Sequence, residues 1–127
     1  AFMSNVFHAD SNTRIFEAPV SAAATMWLIY RQCVVKNIMH ALTLGTDDLP
    51  PSLEVTLPGL LVTMQDLGRA IAQHAGCPED FIRYAPDTGL EAAFGNQPDH
   101  QLRCATRLGF CDDGDLDHLV ANAFSTL

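Results

Sequence analysis

Apolar residues recur along this chain with two different periods. Met64, Leu67, Gly68, Ile71, Ala72 and Ala75 share one face at helical spacing, which predicts an amphipathic helix. Thr63 stands before it as an N-cap, Asp66 follows three residues on in a variant of the capping box, and Gly76 marks the stop. Val34, Val35, Ile38, Met39 and Leu42 form a second stripe ending near Gly45, and Leu116, Leu119, Val120, Ala123, Phe124 and Leu127 a third. Phe2, Met3, Val6 and Phe7 predict a short helix over residues 2–9, as though the chain opens mid-element. Leu90, Ala93 and Phe94 predict another short helix. Residues 101–108 predict one more, stopped by Gly109 with Phe110 placed to pack back.

The β-rich runs are short: residues 14–18, 26–30, 53–57 and 81–84 read as strands. The third of these leads through a Pro58-Gly59 turn toward the Thr63 helix. Asp10-Ser11-Asn12, the small residues 21–24 and the Pro50-Pro51 segment are turns or loops. There is no internal repeat, no low-complexity segment and no linker. The expectation is one α+β lobe over residues 1–127, mostly helical, with too little sheet for a doubly wound domain.

Composition narrows the function classes. At 127 residues with 48% hydrophobic content, the chain is one domain's worth and can bury a real core. Fifteen acidic residues against seven Lys and Arg give a formal charge of −8. That disfavours sequence-independent nucleic-acid binding and anionic membrane surfaces, both of which need cations. No apolar run approaches the roughly 18–20 residues of a membrane span. The N-terminus lacks a signal peptide's positive region and cleavage site, and the first residue is Ala, so the chain is expected to start inside a longer polypeptide. Cys33, Cys77, Cys104 and Cys111 are irregularly spaced without a CxxC, so all four are expected to be reduced and the compartment cytoplasmic.

Several chemistries lack their motifs. The sequence has no GxGxxG, no phosphate-cradling GxxxxGK[ST], no GxSxG elbow and no Tyr-x-x-x-Lys. Neither cofactor binding nor hydride transfer is therefore expected from this chain alone, and no residue is given a catalytic role. His74 and Cys77 lack a second ligand pair at zinc spacing, so no metal site is assigned. The acidic run 111–117 lacks the alternating ligands and terminal Glu of a calcium loop. Its Asp112, Asp113 and Asp115 read instead as the acidic start of the last helix. His40 and His118 read as hydrogen-bonded or solvated surface histidines. Trp27, on an apolar strand, reads first as core. Arg31 stands where a strand meets a helix. It is either a planar fork able to grip a carboxylate or phosphate, or a surface charge answering its acidic neighbourhood.

Taken in order, AFMSNVF, RIFEAPV, TMWLIY, RQCVVKNIMHALTL, the Thr56-to-Thr63 stretch TLPGLLVT and RYAPDTGLEAAFGNQPDHQLRCATRLGF form a series of pieces. The series resembles the C-terminal, substrate-binding lobe of the extended short-chain dehydrogenase/reductases, the NAD-dependent epimerase/dehydratase family. The D-erythronate dehydrogenase-like branch is the most similar. Thr56 replaces the usual Asn, Tyr30-Arg31 the usual Ser-Pro, Gln97-Pro98 the usual Trp-Pro, and Cys104 the second Arg after Arg103. The apolar register is kept, so these departures bear on substrate and activity, not on fold.

The resemblance implies that a missing N-terminal Rossmann domain carries NAD or NADP and the Tyr/Lys pair. This chain would then close over a small-molecule substrate, a sugar acid or nucleotide sugar. By the same analogy the pocket-facing candidates are Ser4, Asn5, Thr25, Trp27 and Arg31. Such a lobe standing alone should leave an apolar face uncovered on its first helix and on the Val34–Leu42 helix, open to the missing domain or to a homo-dimer partner. The rival reading is a free-standing acidic interaction module without enzymatic activity.

Overall fold

The computed structural model describes residues 2–8, 15–100 and 102–125. The Asp10-Ser11-Asn12 turn, Arg14, Leu127 and the side chains of Phe2 and Met3 lie outside that description. Four short strands and several helices make up an α+β lobe. β1 (Phe16–Ala18) pairs in parallel with β4 (Ile82–Tyr84), and β2 (Thr25–Leu28) pairs antiparallel with β3 (Leu60–Thr63). Around them stand α1 (Phe2–Asn5), α2 (Arg31–Ala41), α3 (Met64–Ala75), α4 (Thr88–Phe94), α5 (Arg103–Arg107) and α6 (Leu116–Phe124).

α3 is the central helix and follows its sequence closely. The Thr63 hydroxyl accepts the Asp66 N–H at 3.1 Å and donates to its carboxylate at 2.6 Å, while Gly76 closes the helix in the left-handed region at φ 67°. Met64, Leu67, Ile71 and Ala72 are buried, the first three within a core that includes Val6, Ala18, Val20, Met26, Val62, Ile82 and Val120. α6 packs against α3, and the rings of Phe124 and His74 stack at 4.9 Å. Asp115 caps α6 by accepting the His118 N–H at 2.8 Å; that bond, with the His118 ring, holds its carboxyl below the usual carboxylate range. The C-terminal stop of α5 is also as expected: Gly109 lies at φ 83° and Phe110 folds back into the interior.

Four expectations change. Residues 53–57 form no strand: Leu53 sits in the left-handed region at φ 58° and is 64% exposed. The strand lies instead at Leu60–Thr63, where alternation buries Val62 and turns Leu61 outward. β2 pairs along its whole length with β3 rather than with residues 53–57. β3 takes one edge, and the Gly95 carbonyl and Gln97 N–H take the other at Thr25. The strand predicted over 26–30 is shorter and starts at Thr25, because Tyr30 already acts as the N-cap residue of α2.

The opening helix is not an uncovered face at Val6 and Phe7: Val6 is fully buried and Phe7 packs edge-on against Phe124 at 5.9 Å. Of the three aspartates assigned to the start of α6, only Asp115 caps it. Asp113 accepts the distant Tyr30 N–H at 2.7 Å, and Asp112 accepts the Gly114 N–H.

α2 is inverted with respect to its own lobe. Val35, Ile38, Met39 and Leu42, at i, i+3, i+4 and i+7, are 57%, 53%, 60% and 76% exposed. The opposite face carries Cys33, Asn37 and His40, and it is this polar face that meets the protein. Asn37 is 1% exposed and exchanges two hydrogen bonds with the Cys111 backbone, donating to its carbonyl at 2.7 Å and accepting its N–H at 3.0 Å. The His40 ring nitrogen lies 2.6 Å from the Leu108 carbonyl, with the ring edge-on to Phe110.

Candidate functional site

The β2–β3 ribbon has two faces. Met26 and Val62 point into the core, with Leu28 and Leu60 packed against it, while Thr25, Trp27, Leu61 and Thr63 occupy the other side. The segment after α4 closes part of that outer face. Thr25 is bound to it three times: its N–H donates to Gly95, its carbonyl accepts from Gln97, and its hydroxyl donates to the Gln97 carbonyl at 3.0 Å. Trp27 is half-buried, with His100 edge-on at 4.9 Å. Gly59 fits against the indole because it lacks a side chain: a Cβ there would stand 2.7 Å from Trp27 Nε1 and 2.8 Å from the Leu28 carbonyl. Trp27 is thus neither core nor a bare shelf but a wall of the outer face.

Arg31 is the first residue of α2, as its position between strand and helix implied, and it is exposed. It makes no ion pair among the described residues, in contrast to Arg69, which lies 3.5 Å from Asp66 and 3.8 Å from Glu79. The carboxylate of Asp113 is anchored at the mouth of α2 through the Tyr30 N–H, where the helix dipole favours it. An anion approaching this end would therefore meet the Arg31 side chain, not a vacant helix terminus.

Of the five pocket candidates, the fold brings Thr25 and Trp27 onto one sheet face and sets Arg31 three residues beyond the end of that strand. Ser4 and Asn5 are exposed on α1 and share no hydrogen bond with the other three. His100 joins the outer face through Trp27, and Glu91 steadies its frame by accepting both the N–H and the hydroxyl of Ser21, at 2.7 and 2.5 Å.

Two features escaped sequence reading. One is the latch between Asn37 and Cys111, whose only signal is a polar residue four places after Cys33 on a helix read for its apolar stripe. The other is His100, which has no pattern around it. A surface depression of about 420 Å³ is lined by Leu44, Asp47, Asp48, Arg107 and Leu108, none of them a candidate. Among the described residues no cluster of three His, Cys, Asp or Glu could hold a metal ion, and no helix is long and apolar enough to cross a membrane. All four cysteines are free thiols.

No protein-family model and no curated protein matches the chain. Solved structures do. A nucleoside-diphosphate-sugar epimerase from Agrobacterium tumefaciens superposes on 94% of the chain with a TM-score of 0.79 at 20% identity. A GalE-like L-threonine dehydrogenase from Cupriavidus necator covers 96% with a TM-score of 0.81 at 18% identity. The L-threonine dehydrogenase of Clostridium difficile covers 96% with a TM-score of 0.79 at 15% identity. This chain spans only 35%, 39% and 38% of those proteins. At such identities the likeness is one of fold: the lobe has the architecture of part of an epimerase or dehydrogenase subunit.

Proposed function

We propose that this chain is the substrate-binding lobe of an NAD(P)-dependent oxidoreductase or epimerase of the short-chain dehydrogenase/reductase superfamily, acting on a sugar-acid or nucleotide-sugar alcohol. The single observation that carries this reading is α2, whose apolar face points away from its own core. A helix so arranged is built to be covered from outside. The reading is supported by the neighbours' lengths: the chain spans about two fifths of them, as with the 39% of the Cupriavidus necator enzyme. In this reading a Rossmann domain supplies the cofactor and the catalytic pair, and docks on Val35, Ile38, Met39 and Leu42. Thr25, Trp27 and Arg31 then line the substrate side, with Ser4 and Asn5 entering from α1.

The test is a calorimetric titration with NAD and NADP. The isolated chain should give no specific heat, and the protein carrying the cofactor domain should bind. A micromolar Kd for the isolated chain would overturn the division of labour. About 190 residues of upstream coding sequence, the size of a Rossmann domain, should contain a GxxGxxG and a Tyr-x-x-x-Lys. Their absence would favour the second reading, an acidic interaction module using the same α2 face.

Arg31 gives a sharper readout. Its guanidinium has no carboxylate partner of its own among the described residues, so it is available to a substrate acid. In the complete enzyme Arg31→Lys keeps the charge and loses the fork. The expected cost is about 1.5 kcal/mol, or roughly tenfold in kcat/KM, with cofactor affinity unchanged. Wild-type kcat/KM in both Arg31→Lys and Arg31→Ala would make Arg31 a surface charge.

A further inference from the structure

The inner face of α2 carries a thiol that its packing role does not require. Cys33 is buried, and its Sγ lies 3.3 Å from the carbonyl of Cys111, a residue 78 positions away in the loop leading into α6. The Asn37 amide stands against both thiols, with Oδ1 3.7 Å from Cys111 Sγ and Nδ2 3.9 Å from Cys33 Sγ. Cys111 is exposed. A recess of about 150 Å³ opens beside the pair, with Tyr30, Lys36 and Asp113 also on its walls. Cys77 and Cys104 share no hydrogen bond with another thiol among the described residues.

We propose that Cys33 and Cys111 form a reversible dithiol–disulfide site, oxidised by low-molecular-weight disulfides, that covalently links α2 to the loop preceding α6. The chemistry needs one accessible thiol, one held beside it and an entry route, and the recess provides all three. The Cys111 thiolate attacks one sulfur of oxidised glutathione, forms a mixed disulfide and expels one glutathione thiolate. Cys33 gives its proton to solvent and attacks Cys111 Sγ. The Cys33–Cys111 bond forms, the mixed disulfide breaks and the second glutathione leaves. Two protein thiols are oxidised, one glutathione disulfide is reduced to two thiols, and the chain is lighter by two hydrogens.

The order of attack follows from the environments. Burial pushes the Cys33 thiol up to about 11, with Asp113 and then Cys111 adding to the effect and Lys36 opposing it. Cys111, the exposed thiol, meets the disulfide first, and buried Cys33 is the resolving thiol. The bond adds a covalent tie to the Asn37 latch, fixing the loop whose Asp113 holds the Tyr30 N–H at the start of α2.

The full chain is incubated with oxidised glutathione, free thiols are blocked with N-ethylmaleimide, and the digest is read by mass spectrometry. A peptide pair linked through Cys33 and Cys111 is expected, cleaved by dithiothreitol, with Cys77 and Cys104 alkylated. Cys33→Ser should lose the linked peptide and retain a glutathione adduct on Cys111 that the wild type resolves. Should that variant not fold, the wild-type digest decides alone. A stable adduct on wild-type Cys111 without the linked peptide, a bond to Cys77, to Cys104 or to a second chain, or four alkylated thiols would each overturn the proposal.

Discussion

Replacing Asn37 with leucine should destabilise the lobe by about 3 kcal/mol, the loss expected when two backbone groups are stripped of their partners in a largely buried setting. The side chain is 1% exposed and satisfies both the N–H and the carbonyl of Cys111, at 3.0 and 2.7 Å. Leucine fills a similar volume and can answer neither group. Asn37→Asp should cost at least as much, because it keeps the acceptor, loses the donor and places a carboxylate where water does not reach. Urea unfolding followed by circular dichroism measures both, and for a lobe of this size a melting temperature lower by about 10 °C should accompany them. A change below about 0.5 kcal/mol in Asn37→Leu would mean that α2 is held by other contacts.

The second large effect concerns the outer face of the same helix. Ile38→Glu with Leu42→Glu should leave the isolated lobe's stability within about 0.5 kcal/mol, since the two side chains are 53% and 76% exposed and touch little. Association should change far more. Covering an aliphatic side chain is worth about 1.5–3 kcal/mol, so losing two should weaken docking of a separately supplied cofactor domain by roughly two to four orders of magnitude in Kd. Without that domain, the wild-type lobe should self-associate in light scattering and the double variant should not. A wild-type lobe that stays monomeric at high concentration would show that α2 tolerates water and needs no cover.

Local signals fixed what depends on neighbours in the chain. The Thr63 cap, the buried stripe of α3, the Gly76 and Gly109 stops and the Asp115 cap are all set by residues within four or five positions of one another. They read correctly because helix ends and helix faces are local problems. Arg31 likewise stands where the order of strand and helix along the chain predicts it, at the first position of α2.

What the pattern could not decide is which face meets what. The Val35, Ile38, Met39 and Leu42 stripe has the spacing of a core-facing helix, yet it points outward, because Asn37 and His40 find backbone partners at Cys111 and Leu108. Those partners lie about 70 residues away, at separations of 74 and 68, where sequence spacing carries no signal. Residues 53–57 have strand composition but no strand: β2 pairs along its length with β3, and residues 95–97 hold Thr25 on its other edge. Sequence determined the helices, their caps and the α+β class through short-range sterics and hydrogen bonding. The uncovered stripe of α2 was implied by the resemblance and is seen at Val35, Ile38, Met39 and Leu42. Tertiary structure alone decided strand pairing, the Asn37 and His40 contacts that turn α2 outward and the meeting of Cys33 with Cys111, because each depends on competition among distant segments for the same buried surface and the same backbone partners.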